Sequence, residues 1–310
     1  MGGFEMQSRF ATCQRVLGLT LVFFGLFGGL GAREALAENE FRFAWTVPSR
    51  AVVTETVLKK GKTATLRYEI KLSAPPGSTN LHLRLENLSF LKVEGWNMSD
   101  KKVQNEVKRL EALASAIPTL VVSRSGKLVG LKGLDEMIEK ILSQSGADEN
   151  RRREIAKMMR TPQVFRSLEK KCAEFWTAWV SLWVGLEVAP GEKLPVAQEI
   201  PLPDGNTLLV PGNVTRRQPD PHAPADAVLE MESLLEGEVA RRAFGDAIAH
   251  LIPQASRMER LSRATKVRAI TDPQTLRPRS VTMETVTNLK MEGELATELV
   301  ERHIYHFDWK

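Results

Sequence analysis

The chain has 310 residues, 43% hydrophobic and 26% charged, with 21 Gly, 16 Pro, two Cys and a formal net charge of +5. These values lie in the ordinary globular range and exclude a disordered chain, a collagen-like repeat and a disulfide scaffold. The excess of positive charge is too small and too diffuse to demand a polyanionic partner.

Residues 1–37 read as a secretory signal peptide. Arg9 and Arg15 precede an apolar run over 16–30, and Ala35-Leu36-Ala37 supplies small residues where a signal peptidase cuts. The run is shorter than the roughly 20 residues that a spanning helix needs, and Gly18, Gly25, Gly28 and Gly29 interrupt it. Cleavage after Ala37 leaves 38–310 as a single exported domain, periplasmic or secreted, with Cys172 as its one cysteine and no internal disulfide. Export argues against a nucleic-acid partner, and no later segment reaches transmembrane length.

The stretch 41–94 reads as an antiparallel meander. Residues 52–58 are rich in β-branched side chains, Lys59-Lys60-Gly61-Lys62 forms a turn, and Leu66, Tyr68, Ile70 and Leu72 then alternate with polar residues. Leu81, Leu83 and Leu85 resume the alternation. One sheet face is therefore apolar and needs a cover.

Central helices over 102–184 supply it. Val103, Val107, Leu110, Leu113 and Ile117 recur at helical steps up to Pro118. A short hairpin at 120–123 and 127–131 precedes modest amphipathic helices at 134–142 and 148–159. Thr161-Pro162 opens the strongest helix, whose stripe is Phe165, Leu168, Cys172, Phe175, Trp179 and Leu182.

A Pro-rich stretch, 189–224, reads either as edge strand and loop or as a connection between two halves. The last part, 226–310, begins with a segment, 228–235, that fits strand or helix. A helix over 238–252 and strands over 261–271, 281–291 and 295–309 follow. The expected fold is α+β: a curved antiparallel sheet, an incomplete barrel, with helices packed on one face.

Phe175, Trp176, Trp179 and Trp183 concentrate aromatic area in one short stretch. Such a cluster lines an apolar cavity, meets a membrane interface or, most commonly at helical spacing, fills a core. Tyr305, Phe307 and Trp309 share one strand parity and form a candidate partner-facing surface. Cys172 lies on the helical stripe and reads as an inert buried thiol.

His303 and His306 point to opposite faces of a strand and cannot share an ion there, and the His306–Asp308 pair is too few ligands for a site. Asp220-Pro221-His222 with Asp226 reads as a solvated turn. Arg151-Arg152-Arg153 and Arg216-Arg217 read as solvated charge. No catalytic motif is present, so no catalytic residue, metal or cofactor is expected. Carboxylates such as Glu230, Glu232, Glu236 and Glu238 keep a hydrolase reading open.

The segment Ile270-Thr271-Asp272-Pro273-Gln274-Thr275-Leu276-Arg277-Pro278, followed by Val281, resembles the strand–Asp–turn–Pro–strand segment of exported bacterial proteins with a lipoprotein-carrier-like incomplete barrel. It is also similar to a set of periplasmic proteins of comparable length. The resemblance implies the fold and an apolar cavity and transfers no functional residue. The leading expectation is an exported, non-enzymatic binding or envelope-maintenance protein that holds an apolar small molecule, a lipid or a segment of an envelope protein. The alternatives are an exported hydrolase using dispersed carboxylates and a protein-interaction scaffold.

Overall fold

Lys60 and Gly61 both take positive φ, 50° and 70°, the backbone of a two-residue hairpin turn whose twist matches its strands. They join β1 (Ser49–Lys59) to β2 (Lys62–Ser73), so that Lys59 faces Lys62 and Val53 faces Tyr68. The computed structural model describes residues 41–114, 116–144, 148–201, 207–218, 225–249, 258–293 and 295–310. The proposed signal segment, its Cys13 and the 220–222 cluster lie outside these residues.

After β3 (Leu81–Val93) come helix α1 (Lys101–Ala114), the hairpin β4 (Thr119–Val122) and β5 (Leu128–Lys132), and helices α2 (Leu134–Gln144) and α3 (Glu149–Met159). Helix α4 (Pro162–Trp176) runs on into a π turn over Thr177–Ser181, marked by Leu182 N–H donating to the Thr177 carbonyl at 3.0 Å. Strands β6 (Lys193–Pro201), β7 (Thr207–Arg216) and β8 (Ala227–Leu235), helix α5 (Gly237–Ala249), and β9 (Met258–Thr271), β10 (Pro278–Met291) and β11 (Thr297–Trp309) complete the chain.

The strands form one open antiparallel sheet in the order β5-β4-β3-β2-β1-β11-β10-β9-β8-β7-β6. The first and last long strands pair at its centre, Glu55 opposite Tyr305. Two edges remain, β5 and β6. The Pro-rich stretch supplies the second: of its two readings the edge strand holds, since β6 and β7 pair with Leu194 facing Val214. Pro195 is tolerated because an edge strand has one side with no ladder to feed. The ambiguous stretch at 228–235 is strand β8, and the segment 41–46 has no regular secondary structure and is held by Phe41 N–H on the Leu186 carbonyl.

The helices do not behave as one covering layer. Helix α1 ends at Ala114, short of Pro118, and packs Val107 and Leu110 on Val57, Leu66 and Phe90. Helix α5 lies along β9, where Ala240 joins Leu235, Met258 and Leu261. Helices α2 and α3 and the first part of α4 pack on one another through Ile138, Leu142, Met159, Phe165, Leu168 and Cys172. The α4 stripe therefore divides. Its first half closes a helical cluster, and its second half, from Phe175 on, enters the main core with residues of β1–β4 and β7–β11. Among the described residues no helix is long and apolar enough to cross a membrane.

Candidate functional site

The residues from 172 to 180 are all buried, whichever way they point. A helical segment enclosed all round is largely apolar, which accounts for Phe175, Trp176 and Trp179 within five residues, with Glu174 and Thr177 as its buried polar members. Trp176, Trp179 and Trp183 are each 0% exposed. The C-terminal aromatics meet them: Tyr305 is buried, and Phe307 and Trp309 are half-buried. Trp179 stands edge-on to Tyr305 at 5.3 Å and to Phe307 at 4.9 Å, and Trp309 stands edge-on to Trp45 at 4.7 Å. The two groups of aromatics that the sequence separates by over a hundred residues form a single row. Phe43 and Trp45 extend it from the segment ahead of β1.

Within this row the indole N–H groups divide into two kinds. Trp176 donates to the Gly126 carbonyl at 2.9 Å, Trp183 to Ala178 at 2.8 Å and Trp309 to Pro278 at 2.7 Å. The Nε1 atoms of Trp45 and Trp179 are shielded from solvent and have no acceptor among the described residues. A buried donor left without an acceptor costs about 1–3 kcal/mol, so these two positions stand apart from their neighbours.

Beside the aromatic row, on the same faces of β1 and β11, lies a buried network of charge. His303 is 0% exposed, with Nδ1 2.9 Å from Glu55 Oε1 and Nε2 3.2 Å from Glu301 Oε1. Tyr68 Oη donates to the other Glu55 oxygen at 3.2 Å, and Lys59 Nζ lies 3.0 Å from Glu301. Burial works against a charged imidazole, but the hydrogen bonds and charges of Glu301 and Glu55 outweigh it and hold His303 at about 9. Burial also pushes Glu301 upward, and His303 and Lys59 more than reverse this, leaving it below the usual carboxylate range. The phenols of Tyr68 and Tyr305 are raised by burial first and by the Glu55 charge second.

His303 is thus an imidazolium with both N–H groups committed to carboxylates, and it offers no free nitrogen to a metal or a proton. His306 is exposed on the opposite face. Among the described residues no group of three His, Cys, Asp or Glu side chains is placed to hold a metal ion.

Most of the remaining sequence candidates have local partners. Arg151 pairs with Glu154 and Arg153 with Glu149, while Arg216 lies over the Phe41 ring and Arg217 meets Glu230 at 2.6 Å. Glu232 pairs with Lys266, Glu238 with Arg241 and Arg242, and Asp226 with Arg279. The acids that do converge are Glu55, Glu301 and Glu174, none of them selected by sequence pattern; Glu174 acts through its charge on Tyr305. Parity carried the signal, because Glu55 lies between Val53 and Val57 on the buried side of β1 and His303 shares the parity of Tyr305.

Comparison of the chain with protein-family models and with curated proteins finds no match. The fold and this site define an antiparallel-sheet protein whose central strands carry an aromatic row beside an ionised, buried clasp.

Proposed function

We propose that this protein is an exported, non-enzymatic binding protein that holds an apolar ligand or partner segment against the aromatic row. The observation that carries the reading is the pair of acceptor-less indole N–H groups of Trp45 and Trp179 in an otherwise apolar, aromatic setting. Binding sites for small molecules are apolar surfaces with a few placed polar groups, and a buried donor without a partner is where an absent acceptor belongs. The export pattern of 1–37 and the lack of catalytic motifs agree with a carrier or envelope-maintenance role. Native mass spectrometry of the protein isolated from its own source tests the proposal. A bound species of constant mass is expected, and a uniformly ligand-free protein contradicts it.

The hydrolase reading draws support from one observation, the convergence of Glu55, Glu301 and Glu174. It is the weaker reading because a general acid or base needs a group free to exchange its proton, and Glu55 and Glu301 are both tied to the same imidazolium.

A further inference from the structure

Strand parity puts Leu234, Ala264, Val286 and Val300 on the sheet face turned away from His303 and Tyr305. They form one row across four strands: Leu234 lies opposite Ala264, Ala264 opposite Val286 and Val286 opposite Val300. Pro211 on β7 continues the row beside the Gly212–Ser233 pair, with Leu209 two residues further along its strand. Leu209 is 64% exposed and Leu234 48%. Pro211 and Ala264 are exposed, and the two valines are half-buried. A lone exposed leucine is ordinary, but contiguous apolar side chains over five neighbouring strands mark an interaction surface.

Two residues along each strand the next row is ionic. Glu232, Lys266, Glu284 and Arg302 are cross-strand neighbours in that order on β8, β9, β10 and β11, so their signs alternate. Within the chain Lys266 Nζ lies 2.6 Å from Glu232, and Arg302 Nε lies 3.7 Å from Glu284. The four side chains remain 37–58% exposed, and exposed pairs of this kind add little to the stability of a single chain.

The order of the charges selects the partner. Read from β11 back to β8, the ladder opposes at every step the sign it shows from β8 to β11. A two-fold axis close to the strand direction, between β9 and β10, therefore lays the face on a copy of itself with every charge complemented. Glu232 meets the partner's Arg302 and Lys266 meets the partner's Glu284, each pair formed twice. The same axis lays the apolar row on itself, Leu234 on the partner's Val300 and Ala264 on the partner's Val286. Beyond the ionic row, Arg268 meets the partner's Thr282 and Glu230 the partner's Ile304, which sets no like charges face to face. Antiparallel sheets pack in this aligned fashion about 10 Å apart. A contact in which each residue meets its counterpart reciprocally closes at two copies.

We propose that this outward face of β8–β11 is the interface of a homodimer, with the apolar row as its dry strip and the alternating ladder fixing its register. The proposal is independent of what the aromatic row holds, which lies on the other side of the sheet.

The test is sedimentation velocity of the purified protein, its Lys266→Glu and Glu284→Lys variants, and a one-to-one mixture of the two variants. The wild type should be a dimer at concentrations up to about 100 μM, the range in which weak specific association shows. Each single substitution sets two like-charged contacts across the axis and should weaken dimerisation at least about tenfold. The mixture should recover a heterodimer, because one variant is acidic at both positions and the other basic at both. Such recovery also shows that both variants are folded. A wild type that stays monomeric throughout overturns the proposal. A dimer that both substitutions leave intact overturns it by locating the interface elsewhere. A dimer lost in both variants and absent from their mixture overturns it by tracing the loss to damage within each chain.

Discussion

His303 and Glu55 meet at 2.9 Å on neighbouring strands at the centre of the sheet, where the first long strand of the chain pairs with the last. The contact places a charged imidazole where an apolar residue would be ordinary. Glu301 on the other ring nitrogen makes the arrangement symmetrical.

The pH dependence of stability follows from this clasp. The folded protein holds His303 at about 9 against an ordinary value of 6.5, so its contribution is fully present below about pH 6.5 and is lost as pH rises through 9. The full loss is about 3 kcal/mol. Glu301 has the opposite sign: its lowered pKa gives stability that is lost as pH falls below the usual carboxylate range. Urea midpoints should decline between pH 6.5 and 9.5 in the wild type. His303→Gln should be destabilised at pH 6.5 by about 3 kcal/mol, because buried Glu55 loses its cation and half-buried Glu301 is left with Lys59 alone, and should show little decline toward pH 9.5.

The indoles should respond unequally to Trp→Phe. At Trp176 and Trp183 the change removes a buried hydrogen bond, costing about 1 kcal/mol, with Ser181 Oγ still on the Gly126 carbonyl in the first case. At Trp179 no bond is lost, so Trp179→Phe should cost clearly less. Thermal melts of the three variants check the order. A cost at 179 equal to the other two would show that its N–H has an acceptor in solution.

Gly126 should not tolerate a side chain. Its φ is +84°, and an added Cβ would lie 2.6 Å from Phe43 Cβ. Its carbonyl also accepts from Trp176 Nε1 and Ser181 Oγ, so displacement of this turn disturbs the Trp segment. Gly126→Ala should destabilise by about 2–4 kcal/mol in chemical denaturation, far more than the same change at Gly130, where a Cβ meets nothing within 4 Å.

Cys172 is 2% exposed in the cluster of α2, α3 and α4. A thiol reagent should leave it unmodified in the native protein and modify it fully in denaturant. Rapid reaction under native conditions would show that the helical cluster opens readily.

Alternation exposed β2 in the sequence because Leu66, Tyr68, Ile70 and Leu72 face the core while their neighbours lie toward the other side of the sheet. It failed at β8, where Glu230 is buried among Leu229 and Met231 by pairing with Arg217 and Arg268 from adjacent segments. It failed at β6 because Pro195 opposes strand propensity, and only the edge position of β6 makes that proline harmless. The aromatic row was half legible: helical spacing marked Trp176, Trp179 and Trp183, and strand parity marked Tyr305, Phe307 and Trp309. That the two marks belong to one cluster depends on the π turn and on the β1–β11 pairing, which are long-range outcomes. The His303 clasp was hidden for the same reason, since Glu55 and His303 lie 248 residues apart.

The central claim is that the aromatic row holds an apolar ligand, and titration of the wild type and Trp179→Phe with the fluorescent probe N-phenyl-1-naphthylamine tests it most directly. The wild type should bind the probe saturably with energy transfer from its tryptophans, and methyl laurate, whose ester carbonyl can accept from an indole N–H, should displace it at least about fivefold less effectively from a normally folded Trp179→Phe. Absence of saturable binding in the wild type, or unaltered displacement by methyl laurate in a folded Trp179→Phe, would contradict the claim.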